Sequence, residues 1–232
     1  MTTFQSFREY NVPKIDQQLS EQILSIEAPA ILKEAMHYSL TAGGKRVRPL
    51  FLIAVLDLLK VNHSEALTVG ATIEMVHTYS LIHDDLPSMD NDDFRRGKLT
   101  NHKVYGEALA ILAGDGLLTY SFGVLARLKE VTAENKLELI HLLSKSAGAE
   151  GMVGGQVLDI ESERKIVTVN ELETIHINKT GALLSFSIEA GAILARANDN
   201  TRKALTDFGF HIGLAFQIQD DILDIEGTTE EL

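Results

Sequence analysis

Three observations predict an all-α fold for this 232-residue chain. Apolar residues recur every three or four positions, as one face of a helix requires. Strand patterning is nearly absent, the short β-branched run at 166–169 being the one candidate. Four prolines and no long Gly/Ser tract leave no linker, so a single domain over 1–232 is expected.

The periodicity places the elements in order. Val69, Ile73, Val76 and Tyr79/Ser80 form one stripe; Leu109, Leu112, Gly116, Tyr120 and Val124 form a second; Leu205, Phe208, Ile212, Ala215 and Ile218 form a third. Helices are predicted over 14–26, 28–41, 47–60, 64–85, 103–129, 134–149, 171–196 and 201–225. Gly43-Gly44 suits a helix C-terminus, where a left-handed backbone closes the last turn. Asn198-Asp199-Asn200-Thr201 supplies capping side chains for the last helix.

Composition narrows the function. With 33 acidic and 21 basic residues the formal charge is -12, which repels nucleic acid, so an anionic ligand needs locally clustered cations or a metal. There is no cysteine, hence no disulfide and no thiolate metal site. Residues 1–13 lack the apolar core of a signal peptide. Asp57 and Glu189 interrupt the apolar stretches at 50–59 and 182–195, which fall short of the roughly 20 residues that cross a bilayer. A cytoplasmic protein without membrane insertion is expected.

Two acidic clusters each end a long apolar helix. The first is His83-Asp84-Asp85-Leu86-Pro87-Ser88-Met89-Asp90, and the second is Gln217-Ile218-Gln219-Asp220-Asp221-Ile222-Leu223-Asp224. Asp220 and Asp224 are one helical turn apart, with Gln217 on the same stripe. Their mutual repulsion is a local cost that a hard, oxygen-seeking cation such as Mg2+ would reverse. Asp84 and Asp90 lie on different faces of an ideal helix, but Pro87 cannot sit in a helix interior. The chain should break there and bring Asp90 back toward Asp84. A single acidic run is ordinarily solvated surface; two, each closing a helix that should be buried, argue for a site. Neither has the alternating spacing of a calcium loop.

Cations accompany the carboxylates. Gly43-Gly44-Lys45-Arg46-Val47-Arg48-Pro49 puts three on a turn entering a helix, Arg95-Arg96 follows the first acidic cluster, and Lys179-Thr180-Gly181 lies within a predicted helix. Backbone N–H groups at a helix start, forked guanidiniums and compact ammonium charges all suit phosphate. Singly, each is an ordinary surface cation, and His77 an ordinary core histidine.

Taken together, the ordered set resembles the trans-prenyl diphosphate synthases. It comprises Gly43-Gly44-Lys45-x-x-Arg48-Pro49, His77, Asp84-Asp85-x4-Asp90, Arg95-Arg96, Lys179-Thr180 and Gln217-x-x-Asp220-Asp221-x-x-Asp224. The similarity runs from about residue 3 to the last residue and is strongest to the bacterial enzymes making farnesyl diphosphate. It implies an isoprenoid synthase fold, a single bundle of about ten helices around a deep central cavity, and a homodimer. It further implies that Asp84, Asp90 and Asp220 coordinate three Mg2+ ions, with Asp85, Asp221 and Asp224 as further ligands or their supports. Arg95, Lys179 and Gln217 would grip an allylic diphosphate; Lys45, Arg48, His77 and Arg96 would hold isopentenyl diphosphate. Lys179, Thr180 and Gln217 would flank an allylic cation.

In similar enzymes a bulky residue five positions before the first aspartate, here Tyr79, stops growth at C15; this favours farnesyl over geranylgeranyl diphosphate. Similar enzymes continue past the second motif with a lysine-bearing loop and further helices, so the expected domain lacks that tail. A class I terpene cyclase normally mixes Asn, Ser and Glu into its second motif, unlike Asp220-Asp221-x-x-Asp224. A non-catalytic partner subunit would be expected to have lost an aspartate motif, and both are intact.

Overall fold

The computed structural model of the chain describes residues 3–163 and 165–226, the side chains of 220, 221 and 223–226 excepted. Their contacts divide them into two compact units, Met1–Ile53 with His63–Val131, and Ala54–Asn62 with Thr132–Leu232. Both are helical.

The first unit holds α1 (Phe4–Leu24), α2 (Ala30–Leu40), the start of α3 (Val47–Leu58), α4 (Ala66–Asp84), a hairpin of β1 (Phe94–Arg95) and β2 (Lys98–Leu99), α5 (Asn101–Tyr105) and α6 (Glu107–Ala126). At its centre is α4, buried on nearly every face from Val69 to Tyr79, with α6, α1 and α2 packed around it. The expected stripe Val69, Ile73, Val76 and Tyr79 is buried. Helix α1 begins ten residues before the predicted 14 and runs through Pro13, which is solvent-exposed, so water can serve the carbonyl that proline leaves without a donor.

The predicted helix 103–129 is two, divided at Gly106, whose φ of +85° few other residues adopt. Among the described residues α6 alone is long and apolar enough to cross a membrane. It is a bundle helix, with Ala110, Ala113, Gly114, Leu117, Ser121 and Val124 turned into the core. This stripe is offset from the predicted one, and Leu112 is exposed. Gly114 on this stripe lies against the His83 side chain, where a larger residue would collide.

In the second unit α7 (Ala133–Ala147) and α11 (Asp199–Glu226) pack on α10 (Ala182–Leu194), while α8 (Met152–Ser162) and α9 (Val169–His176) pack on the π turn (Ile177–Gly181) that leads into it. Ten of the thirteen α10 residues are buried. The sequence reading missed α8, whose glycines Gly154 and Gly155 weaken helix propensity. The run at 166–169 is not a strand: Thr168 and Glu171 form a reciprocal capping box that starts α9. The last helix begins as expected, with Asn198 Oδ1 accepting from the Thr201 N–H at 3.0 Å. On α11 the buried stripe is Leu205, Gly209 and Gly213, whereas Phe208 and Ile218, on the predicted stripe, are about half exposed.

One buried cation ties the first unit together. Arg46, with left-handed backbone (φ +52°), donates to Asp16 on α1 at 2.8 Å, to Glu74 on α4 at 2.9 Å and to the Leu40 carbonyl closing α2 at 2.6 Å. Both Arg46 and Glu74 are almost fully buried, so removing either strands a charge in the core. Arg46→Ala is expected to cost about 3–5 kcal/mol, the range for breaking a buried pair. Urea unfolding followed by circular dichroism checks this; an unchanged midpoint would contradict it.

Candidate active site

Helix α4 carries the first acidic cluster to its end. The ladder stops at Asp84, Asp85 caps it by donating its N–H to the Leu81 carbonyl, and the chain turns back at Pro87. The Met89 and Asn91 amides both donate to the Leu86 carbonyl, and Asn91 takes a φ of +56°. The Asp90 N–H then reaches the Asp84 carbonyl at 2.9 Å. The proline-induced return expected from sequence is thus present, with Asp84 partly buried and Asp90 exposed.

Asp85 is different. It is buried, and its Oδ1 accepts from Arg95 Nε at 2.5 Å; the other end of that guanidinium meets Asp92 at 3.2 Å. Burial pushes the Asp85 carboxyl up from its ordinary value, while Arg95 pulls it back. Asp85 is therefore engaged in positioning Arg95. Tyr79, four residues before His83 on α4, is also buried, and burial together with Asp84 pushes its hydroxyl up to about 12.

A two-residue hairpin presents the next cations. Arg95 opposes Lys98, and the turn residues Arg96 and Gly97 have φ of +52° and +73°, the primed turn that suits strand twist. The sequence reading missed it because two-residue strands leave no periodic trace. The hairpin is pinned to α2: the Tyr38 hydroxyl donates to the Leu99 carbonyl at 2.8 Å, and Asn101 Nδ2 donates to the Ala35 carbonyl at 2.8 Å.

Arg96 folds over the Gly43-Gly44 turn and donates to the Gly43 carbonyl. Gly44 has φ of +133°, which strains other residues, and a Cβ there would stand 2.6 Å from Arg96 Nη1, so a side chain would also displace this guanidinium. Lys45 beside it is exposed and Arg48 half-buried. His77 lies within reach of these charges. Burial first, then Arg48, Arg96, Arg46 and Arg95, hold its imidazole well below the ordinary 6.5.

In the second unit, Lys179 and Thr180 sit in the π turn, which shifts the helical hydrogen bonds by one residue and re-aims these side chains. Neighbouring backbones hold the turn. A Cβ on Gly155 of α8 would lie 2.2 Å from the Lys179 nitrogen, and one on Gly213 of α11 would lie 2.9 Å from the Gly181 Cα. Lys179 Nζ meets Asp159 Oδ2 at 2.5 Å. Asp159 escaped the sequence reading because the helix carrying it did. Gln217 is half-buried on α11; Asp220, Asp221 and Asp224, the second cluster, lie outside the described side chains.

Among the described residues no three carboxylate or histidine side chains form a ready-made metal cage. Magnesium binds through one or two carboxylates, with waters and substrate phosphates completing its shell. Asp84 and Asp90 offer such hard oxygen donors at one broken helix end.

The polyprenyl synthetase family profile matches residues 29–232. Farnesyl diphosphate synthases of Geobacillus stearothermophilus and Bacillus subtilis (strain 168) are each 54% identical over 220 residues, 94% of this chain and 74% of theirs. The apo crystal structure of an FPP/GFPP synthase from Zymomonas mobilis matches with a TM-score of 0.91 at 43% identity, covering 97% of this chain and 81% of that one.

The histidine environment yields a signed pH effect. Because the folded-state value of His77 is depressed, below 6.5 the unfolded chain binds a proton that the native protein refuses. Its contribution to stability is present above that pH and lost as pH falls toward the depressed value. Relative to His77→Gln, the native protein should lose stability from about pH 7 to about pH 5, at up to about 1.4 kcal/mol per pH unit. Parallel urea titrations across that range test it; a flat difference removes the neutral imidazole.

Proposed function

The chain belongs to the polyprenyl synthetase family, and on that premise we propose how its residues condense isopentenyl diphosphate with dimethylallyl or geranyl diphosphate to give farnesyl diphosphate. The observation that carries the reading is the α4 terminus, where a proline-broken loop returns Asp90 to Asp84 beside a buttressed pair of arginines.

Asp84 and Asp90, with Asp220, Asp221 and Asp224, are the magnesium ligands of this reading. Asp85 acts on Arg95 instead. When bound, magnesium, three ions by the family resemblance, offsets the roughly six negative charges of two diphosphates and stabilises the departing pyrophosphate.

Arg95, Lys179 and Gln217 hold the allylic diphosphate. The counter-ions Asp85 and Asp159 fix the approach of Arg95 and Lys179, so little rotamer freedom remains to be lost on binding. Lys45, Arg48, Arg96 and His77 receive isopentenyl diphosphate, His77 as a neutral imidazole able to donate through one nitrogen.

The allylic C–O bond breaks with its electron pair going to pyrophosphate, leaving a delocalised cation. The alkene of isopentenyl diphosphate attacks that cation, and a proton passes to the released pyrophosphate, so no side chain is needed as base. Dipoles at Lys179, Thr180 and Gln217 steady the cation. The π turn supports this role, since it departs from the regular helical ladder at these residues. Tyr79 forms the floor against which a C15 chain stops. A homodimer acting in the cytoplasm completes the reading.

Incubating the protein with Mg2+, isopentenyl diphosphate and each allylic starter should yield farnesyl diphosphate, and a chelator should abolish it. Asp84→Ala and Asp220→Ala should each lower turnover by at least about 10²–10³-fold, the scale for losing a group that stabilises developing charge. Tyr79→Ala should lengthen the product to C20. Wild-type turnover in both aspartate variants would overturn the ligand assignment, and an unchanged C15 product would remove Tyr79 from the floor.

A further inference from the structure

We propose that His83 is a specificity-determining positioning residue: tethered to α6 through the gap at Gly114, its imidazole braces the Tyr79 ring and so fixes where chain growth stops. This rests on the reading of Tyr79 as the floor.

His83 and Tyr79 are four residues apart on α4 and share a face. Their rings meet edge to face, with centroids 5.7 Å apart and planes at 79°, a favoured aromatic geometry. The imidazole is held from its far side. His83 Nε2 lies 3.0 Å from the Ile111 carbonyl of α6, and a carbonyl only accepts, so this nitrogen carries the proton. Asp115 Oδ1 stands 3.9 Å from the same nitrogen.

The tether exists because position 114 has no side chain. A Cβ on Gly114 would lie 2.1 Å from Nε2 and 2.5 Å from Cδ2, inside the imidazole itself. A continuous line thus runs from the α6 backbone through His83 to the Tyr79 ring. Without it, Tyr79 could swing to another staggered rotamer and let a longer chain pass. With it, rotation requires displacing an imidazole that is hydrogen-bonded to a neighbouring helix. The floor is therefore a braced pair.

The experiment compares product length in His83→Ala, Gly114→Ala, Tyr79→Ala and the double variant His83→Ala/Tyr79→Ala, with isopentenyl diphosphate in excess. The C20:C15 ratio should rise by about five-fold or more in the first two variants. Adding His83→Ala to Tyr79→Ala should change the ratio by less than about two-fold, since residues acting as one unit are non-additive. If circular dichroism shows that His83→Ala does not fold, Gly114→Ala decides, because it displaces the ring while keeping it. An unaltered ratio in folded His83→Ala and Gly114→Ala, with Tyr79→Ala lengthening the product, overturns the brace and leaves the floor standing. The same holds if His83→Ala raises the ratio equally with and without Tyr79. A C15 product from Tyr79→Ala overturns the floor itself.

Discussion

Like charges gathered before their ligand arrives are the constraint around which the first helical unit is built. Arg46, Arg48, Arg95 and Arg96 all act on one imidazole. Such a cluster repels itself, and it persists because each charge is managed separately. Arg46 is neutralised by Asp16 and Glu74, Arg95 by Asp85 and Asp92, and Arg96 is held by a backbone carbonyl over a glycine turn. His77 contributes by remaining neutral, which spares the cluster a fifth positive charge. Diphosphate would relieve the repulsion that remains, so part of the binding energy is stored in the folded protein before substrate arrives.

The same economy explains which residues hold the site without touching substrate. Two carboxylates absent from the predicted phosphate-binding set, Asp85 and Asp159, are each paired with a cation from that set at 2.5 Å. Each pair joins a flexible cation to a residue fixed on a helix, so guanidinium and ammonium point one way before ligand binds. Arg46, which sequence reasoning grouped with its neighbours as a phosphate cation, belongs to the core. Its burial followed from a left-handed backbone that no periodicity reveals.

What was legible in the sequence follows from the same physics. The α4 stripe could be read because α4 is buried by large apolar residues at regular intervals. The return of Asp90 could be read because Pro87 has one consequence in a helix. The stripes of α6 and α11 could not, because small residues take part in the packing, Ala110, Ala113 and Gly114 on α6 and Gly209 and Gly213 on α11, and hydrophobic periodicity scores size instead of closeness. Helix α8 was missed for the same reason: Gly155 argues against a helix locally, yet it admits the π turn bearing Lys179. Such contacts are legible only in three dimensions, since the partner backbone lies more than twenty residues away.

In the proposed reaction helix α4 joins recognition to measurement. Its C-terminal end presents Asp84, and Tyr79 precedes that residue by five positions, about 7.5 Å along the axis at 1.5 Å per residue. On the proposed reading, a product anchored by its diphosphate at one end and stopped by the Tyr79 ring at the other is measured along one rigid rod. Neither point can drift relative to the other unless the helix deforms, and α4 is enclosed by α1, α2 and α6. Only the side-chain rotamer of the stop remains adjustable. On that reading product length depends on how firmly one ring is held, and what holds it is supplied by the neighbouring helix α6 through the absence of a single side chain.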